Sequence, residues 1–209
     1  MFAETVRGTA VDEAGLREAW ARVIQVLGEK ASGWLGATAG MAADRAFVAI
    51  LGFETREMAR ITMDVLADEA TWQAVASLAP DLAFREFPNV RAFATAEVEP
   101  TDRVEVREGT ALDIGRVVST FHAAERSIVE DAEVVGGLLC WDERRFVSAA
   151  LYRRTVRGDQ RGERRGTPAD WSQLMAHGQQ WSLAQQWSVL ALTSTAGSTA
   201  IDHGGRGRS

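Results

Sequence analysis

Two spacings alternate along this chain, one of about two residues and one of about 3.6, and each change of spacing marks a new element. Residues 2–10 form an extended, largely apolar run. Beyond it Leu16, Trp20, Val23, Ile24 and Leu27 recur at helical spacing, with Arg17, Glu18 and Arg22 on the other side. This predicts a helix lying with one face on a sheet, opened by Asp12 and Glu13 near its amino end. Residues 33–40 and 47–53 are two further apolar runs flanking the turn Ala42-Ala43-Asp44, which reads as a hairpin. Residues 54–78 return to the helical period with a break at 68–72. Residues 84–93 close the unit as a strand, where Pro88 predicts an edge position or a bulge.

The same order then begins again. Residues 104–111 predict a strand, and Ile114, Val117, Val118, Phe121 and Ile128 a helix. Residues 134–141 and 146–152 predict a hairpin, 168–177 a helix and 181–192 a last strand. Phe47 and Phe146, Trp72 and Trp171, and Val90 and Val189 each stand 99 positions apart. Arg45-Ala46-Phe47-Val48-Ala49 answers Arg145-Phe146-Val147-Ser148-Ala149, and Val6-Arg7 answers Val106-Arg107. A self-match in the same order indicates a duplicated unit. The expected organisation is a first repeat over 1–97, a linker at 98–103, a second repeat over 104–193 and a loosely held tail at 194–209. A βαββαβ unit lays both helices on one face of a four-stranded antiparallel sheet and leaves the other face to be covered. The second copy's sheet is the obvious cover. The prediction is therefore α+β, with two sheets face to face, helices outside and an enclosed apolar cavity between the sheets.

Composition narrows the class. With 46% hydrophobic and 25% charged residues the chain is that of a globular protein with a core. No apolar run approaches a membrane span and the first residues lack a secretion signal, so a cytoplasmic location without a membrane partner is expected. A formal charge of −6 argues against nucleic acid as a partner. Cys140, the single cysteine, sits in the apolar run Leu138-Leu139-Cys140-Trp141 and is expected to be packing. Neither the dinucleotide fingerprint, nor a phosphate loop, nor a nucleophile elbow occurs.

The pieces Gly33-Trp34-Leu35-Gly36-Ala37-Thr38, Ala46-Phe47-Val48-Ala49-Ile50-Leu51-Gly52-Phe53-Glu54-Thr55 and Ala70-Thr71-Trp72 resemble the dimeric α+β barrel superfamily. Within it they are similar to antibiotic-biosynthesis-monooxygenase-like domains in a fused, two-copy form, over about residues 3–193. The resemblance implies two tandem ferredoxin-like repeats forming a dimeric α+β barrel-like arrangement. It also implies an oxygenase that tailors an aromatic polyketide, either forming a quinone from an anthrone or, as in angucycline ring-opening relatives, cleaving a carbon–carbon bond. Dioxygen would be the cosubstrate, with no tightly bound cofactor. Reduced flavin (FADH2 or FMNH2) would come in trans from a flavin reductase where the substrate needs reduction. Quinone-forming members carry an Asn and, four residues on, a Trp, both facing the cavity from the third strand. Those positions are Ala49 and Phe53 in the first copy and Ser148 and Tyr152 in the second. Neither copy keeps the pair, and the hydroxyls of Ser148 and Tyr152 share a strand face as its nearest replacement.

Other residues are set against this expectation. Trp72, Trp171, Trp181 and Trp187, with Ala49, Phe53, Met63 and His122, are the expected walls for a flat substrate, and filling of the core is the alternative. His177, placed at the end of the second copy's last helix, could act as a base on a phenol or be a solvated imidazole. Arg157, Arg161 and Arg164 belong to an arginine-rich stretch that could receive a flavin phosphate or an acidic substrate, or form a solvated loop. The three histidines are too scattered for a metal site. The leading expectation is an oxygenase binding its substrate between the sheets. A non-catalytic binding protein or a cyclase for a hydrophobic aromatic is the alternative, and either a pseudo-dimeric monomer or a homodimer would fit.

Overall fold

A computed structural model describes residues 1–67, 69–94, 103–128, 134–152, 175–183 and 185–190. The first half begins with β1 (Phe2–Thr9) and α1 (Glu13–Lys30). Asp12 caps α1 by accepting a hydrogen bond from the Ala14 amide at 3.1 Å, an arrangement worth about 1 kcal/mol. The helix ends at Ala31, and Gly33 turns the chain with φ of 67°. A β-carbon at Gly33 would lie 2.0 Å from the Met58 sulfur, so both the backbone and the packing call for glycine. The hairpin β2 (Trp34–Met41) and β3 (Ala46–Phe53) follows, and then α2 (Arg56–Ala67) and α3 (Ala70–Leu78) divide the long helical stretch where the sequence predicts a break.

The predicted closing strand is in fact two strands, β4 (Ala83–Phe87) and β5 (Asn89–Ala94), with Pro88 between them. Proline has no amide hydrogen for a ladder, so the corner falls where pairing must stop in any case. β4 pairs with β1 in its own sheet, whereas β5 crosses to pair with β7 of the second half. The second half repeats this pattern with β6 (Arg103–Ala111), α4 (Ile114–Ile128), β7 (Val134–Trp141), β8 (Arg145–Tyr152), β9 (Met175–Leu183) and β10 (Gln185–Leu190). β10 returns to pair with β2 of the first half. Exchange makes each sheet five-stranded rather than four-stranded, in the orders β10-β2-β3-β1-β4 and β5-β7-β8-β6-β9. Of the helix predicted at 168–177, residues 175–177 belong instead to β9, and residues 168–174 lie outside the described residues. Most of the expected linker and the whole of the expected tail lie outside the described residues.

Strand alternation sorts the side chains into three layers. On the outer face of the first sheet Phe2, Val6, Phe47, Ala49, Leu51 and Phe53 pack beneath Trp20, Leu16 and Leu66. Between the sheets Val48, Ile50 and Phe87 interleave with Val104, Val106, Leu138, Cys140, Val147, Ala149 and Leu151, none more than 2% exposed. On the outer face of the second sheet Leu139 and Phe146 pack against Val117 and Phe121 of α4. The middle layer overturns the expectation of a chamber there. Walls of a space able to hold a planar ring system would retain surface open to a water-sized probe, and these residues retain almost none. Two β-sheets about 10 Å apart are filled by interdigitating side chains of this size.

Candidate active site

The polar side chains of interest lie on the outer, helix-facing surface of the second sheet. β6 and β8 run antiparallel with Arg103 opposite Tyr152, Glu105 opposite Ala150, Arg107 opposite Ser148 and Gly109 opposite Phe146. Phe146 is a core residue beneath α4, so Ser148 and Tyr152, two and six positions on, share its face. Ser148 and Tyr152 thus stand together as expected, but on the side opposite the inter-sheet layer where the substrate was expected. Two residues absent from the sequence-based selection complete the group. Tyr152 donates a hydrogen bond through its hydroxyl to Glu105 Oε2 at 3.3 Å, and Arg107 Nη2 lies 3.2 Å from the same oxygen. Arg107 and Ser148 are 8% and 6% exposed, while the Glu105 side chain, at 16%, and Tyr152 keep some contact with water. A charge removed from water in this way requires a partner, and here each supplies the other's.

The first sheet shows the same positions without the polar set. β1 and β3 pair with Phe2 opposite Phe53, Glu4 opposite Leu51 and Val6 opposite Ala49. By register, Glu4 corresponds to Glu105, Val6 to Arg107, Ala49 to Ser148 and Phe53 to Tyr152. Only the glutamate is common to both. Val6, Ala49 and Phe53 are wholly buried under α1 and its neighbours, and Phe53 meets the edge of Trp34 with ring centroids 5.5 Å apart. Ala49 and Phe53 therefore form core and are not substrate walls. Glu4 has no arginine or tyrosine of its own in these positions; its burial, together with Glu86 opposite on β4, pushes its carboxyl up to about 7.

The remaining sequence candidates fall in several places. Trp72 lies on α3, 9% exposed and packed on Phe84 at 5.8 Å, and is a core residue rather than the border of a cavity mouth. Met63 lies on α2 and packs against the same core. His122 is half-buried on α4 beside Phe121. His177 is not at a helix end, since it lies within β9 opposite Thr110. Thr110 alternates with Gly109 and so belongs to the inter-sheet side of β6, the row of Glu108, and not to that of Arg107. Trp181 lies in β9 opposite Val106, and Trp187 lies in β10 where the register against β2 shifts. Trp171, Arg157, Arg161 and Arg164 lie outside the described residues. A separate apolar cleft of about 240 Å3 opens between α1 and α2 in the first half, lined by Val26, Met58, Ile61 and Val65 with Lys30 at its edge. Lys30 is held there by Glu69 at 2.6 Å, and the cleft carries no comparable polar set. Among the described residues no cluster of His, Cys, Asp and Glu is arranged to hold a metal ion, and no helix is long and apolar enough to cross a membrane.

No protein-family model and no curated protein matches the chain. Solved structures do. A candidate monooxygenase from Lactobacillus acidophilus NCFM is similar, with a TM-score of 0.63 and 8% identity over 91% of this chain and 96% of that one. An anthrone oxidase-like protein is similar at 0.61 and 10% identity, over 90% and 91% of the two chains. A second candidate monooxygenase, from Fusobacterium nucleatum, is similar at 0.65 and 9% identity, over 89% and 92%. At these identities the likeness concerns the fold: two ferredoxin-like units in tandem, with sheets packed face to face.

Proposed function

We propose that this protein is an oxygenase acting on a hydroxylated aromatic substrate of the polyketide type, bound against the outer face of the second sheet. The observation carrying this reading is the difference between the two halves at equivalent positions. One face is closed with Val6, Ala49 and Phe53, and the other presents Arg107, Ser148 and Tyr152 beside Glu105. Burying a charged and hydroxylated set costs stability, and a set retained in only one copy of a duplicated scaffold marks that copy as the working one. Hydroxyls on one strand face suit the ring oxygens of a phenol or anthrone, and the guanidinium suits a developing oxyanion. The fold is also that of the candidate monooxygenases and the anthrone oxidase-like protein. An electron-rich ring of this type reacts with dioxygen once deprotonated, so no tightly bound cofactor is needed. Reduced flavin from a separate reductase would serve where the substrate must first be reduced.

The test is oxygen uptake with dithranol, a simple hydroxyanthrone, with quinone formation followed by absorbance. Turnover that stops under nitrogen and falls in Ser148→Ala and Tyr152→Phe is the expected result. Undiminished turnover without oxygen would refute the oxygenase reading, and binding without any conversion would identify a carrier.

A further inference from the structure

We infer that Glu105 is the proton acceptor of the reaction, with Arg107 as the group that receives the negative charge when the proton leaves the substrate. The inference rests on the oxygenase reading and assigns its chemical step. It starts from the placement of Glu105 at the meeting point of the cluster: one carboxylate oxygen takes both the Tyr152 hydroxyl and the Arg107 guanidinium, at 3.3 and 3.2 Å. All three side chains project from the same face of adjacent strands, with the hydroxyl of Ser148 directly opposite Arg107. Such a carboxylate is oriented, and it is joined to the surface of the cluster by a hydroxyl that can pass a proton on. His177, the sequence candidate for this task, lies in β9 opposite Thr110, on the other row of β6.

The step balances as follows. The substrate gives a proton from its acidic ring position to Glu105 by way of Tyr152, which hands its own proton to Glu105 and takes the substrate's in return. The electron pair stays on the substrate as an enolate, and its oxygen takes the place of the now neutral Glu105 opposite Arg107. The ion pair is thus exchanged, not lost. Dioxygen, the oxidant, accepts electrons from the enolate and forms the new carbon–oxygen bond as a peroxide anion, which takes the proton held by Glu105 and becomes a hydroperoxide. Loss of water from that group leaves a carbonyl, so a ring methylene and one dioxygen yield a quinone carbonyl and one water. The hydroxide leaves with the second methylene proton as that water, and Glu105, its own proton already returned, is again a carboxylate. The first half provides the contrast, because its equivalent glutamate, Glu4, has Val6 and Phe53 where Glu105 has Arg107 and Tyr152.

The full-length chain tests this with Glu105→Gln, Arg107→Met and, at the equivalent place in the first half, Glu4→Gln. Glu105→Gln is expected to lose about 100-fold or more in kcat/KM for dithranol and to lose the acidic limb of the pH–rate profile. Arg107→Met is expected to lower kcat more than it raises KM, because its contact strengthens with the developing charge. Glu4→Gln should keep the rate. A Glu105→Gln enzyme within about threefold of the parent, with the same pH profile, would overturn the assignment while leaving the oxygenase reading intact. Should the parent itself be inert towards dithranol, the oxygenase reading fails, and proton acceptance is then read from binding of alizarin. The parent should bind it with the phenolate absorption band below the pH at which free alizarin ionises, and absence of that band would overturn the assignment. If Glu105→Gln does not fold, Tyr152→Phe, the residue the first half carries at Phe53, should lose both the rate and the band, and retention of both would overturn it.

Discussion

Glu4 provides a sharp test of how the two halves divide their roles, because it retains the glutamate of the cluster without its partners. Its carboxyl is 8% exposed, lies between Leu51 and Glu86 on neighbouring strands, and titrates near 7 in the folded chain against 4.5 as a free group. Arg56 reaches Glu86 at 2.5 Å and so takes up the more exposed member of the pair. Below pH 4.5 Glu4 is protonated in both folded and unfolded chains and contributes nothing to the pH dependence. Between there and about 7 the folded chain keeps a proton that the unfolded chain has released, so stability falls as pH rises. Above 7 the full cost is reached, about 3 kcal/mol at 1.36 kcal/mol per unit, reduced to about 2–3 kcal/mol by the remaining contact with water. Glu4→Gln keeps the shape and cannot ionise. The variant should match the parent near pH 5 and exceed it by about 2 kcal/mol near pH 8 in urea unfolding, and the parent's own decline should flatten. The difference between the two curves isolates Glu4 from every other titrating group. Parallel curves from pH 5 to 8 would refute the argument that burial and Glu86 hold this carboxyl protonated.

Other outcomes follow from the packing. Glu108, 4% exposed, joins the two halves by accepting Arg7 at 3.1 Å and Arg85, so Glu108→Ala should cost about 2–3 kcal/mol in urea unfolding, discounted because both arginines retain contact with water. Phe87→Ala empties the middle of the inter-sheet layer and should cost about 3–5 kcal/mol, read as a fall in Tm. A β-carbon at Gly137 would sit 2.6 Å from the Phe93 ring, which β5 carries into the second half, so Gly137→Ala should cost about 1–3 kcal/mol in the same assay. Burial pushes the Cys140 thiol far above its ordinary range, so it should resist thiol reagents in the native protein and react only on unfolding.

The fold was legible because its signals are local and repeated. Helical spacing from Leu16 to Leu27, the turn at Ala42-Ala43-Asp44 and the break before Trp72 each state a local preference that the packed protein keeps. Strand exchange was not legible, since nothing in residues 84–93 says which sheet the chain pairs with after Pro88. The site was half legible. The shared strand face of Ser148 and Tyr152 follows from their spacing, but the neighbouring Glu105 and Arg107 were hidden by matching the halves on identity. Val6-Arg7 looks like Val106-Arg107, yet the ladders set Val6 against Ala49 and Arg107 against Ser148. A slip of one residue moves every side chain to the other face of a sheet, and here it concealed a buried charge pair. It also concealed that Arg7 and Glu108 are equivalent positions that bond to each other across the approximate twofold.

That twofold explains why the polar cluster sits where it does. The inter-sheet layer is shared, so a change there in either copy must suit the partner sheet; Val48 and Val147 are alike, and Cys140 and Phe87 interlock with the opposite half. An outer face meets its own helices and one exchanged strand, as where Phe93 packs on Phe121, and a change away from that strand leaves the packing of the other copy alone. Arg107 could therefore be buried beside a half-buried Glu105 on one side while Val6, Ala49, Phe53 and Trp20 formed an apolar core on the other. Beside Val48, Ile50 and Phe87 the same pair would have had no room for a ligand, and the charge that does lie between the sheets, Glu108, is taken up by Arg7 and Arg85 and joins the two halves. The shared apolar layer and the well-filled first half supply the stability against which a partly dehydrated polar cluster in the second half can be maintained.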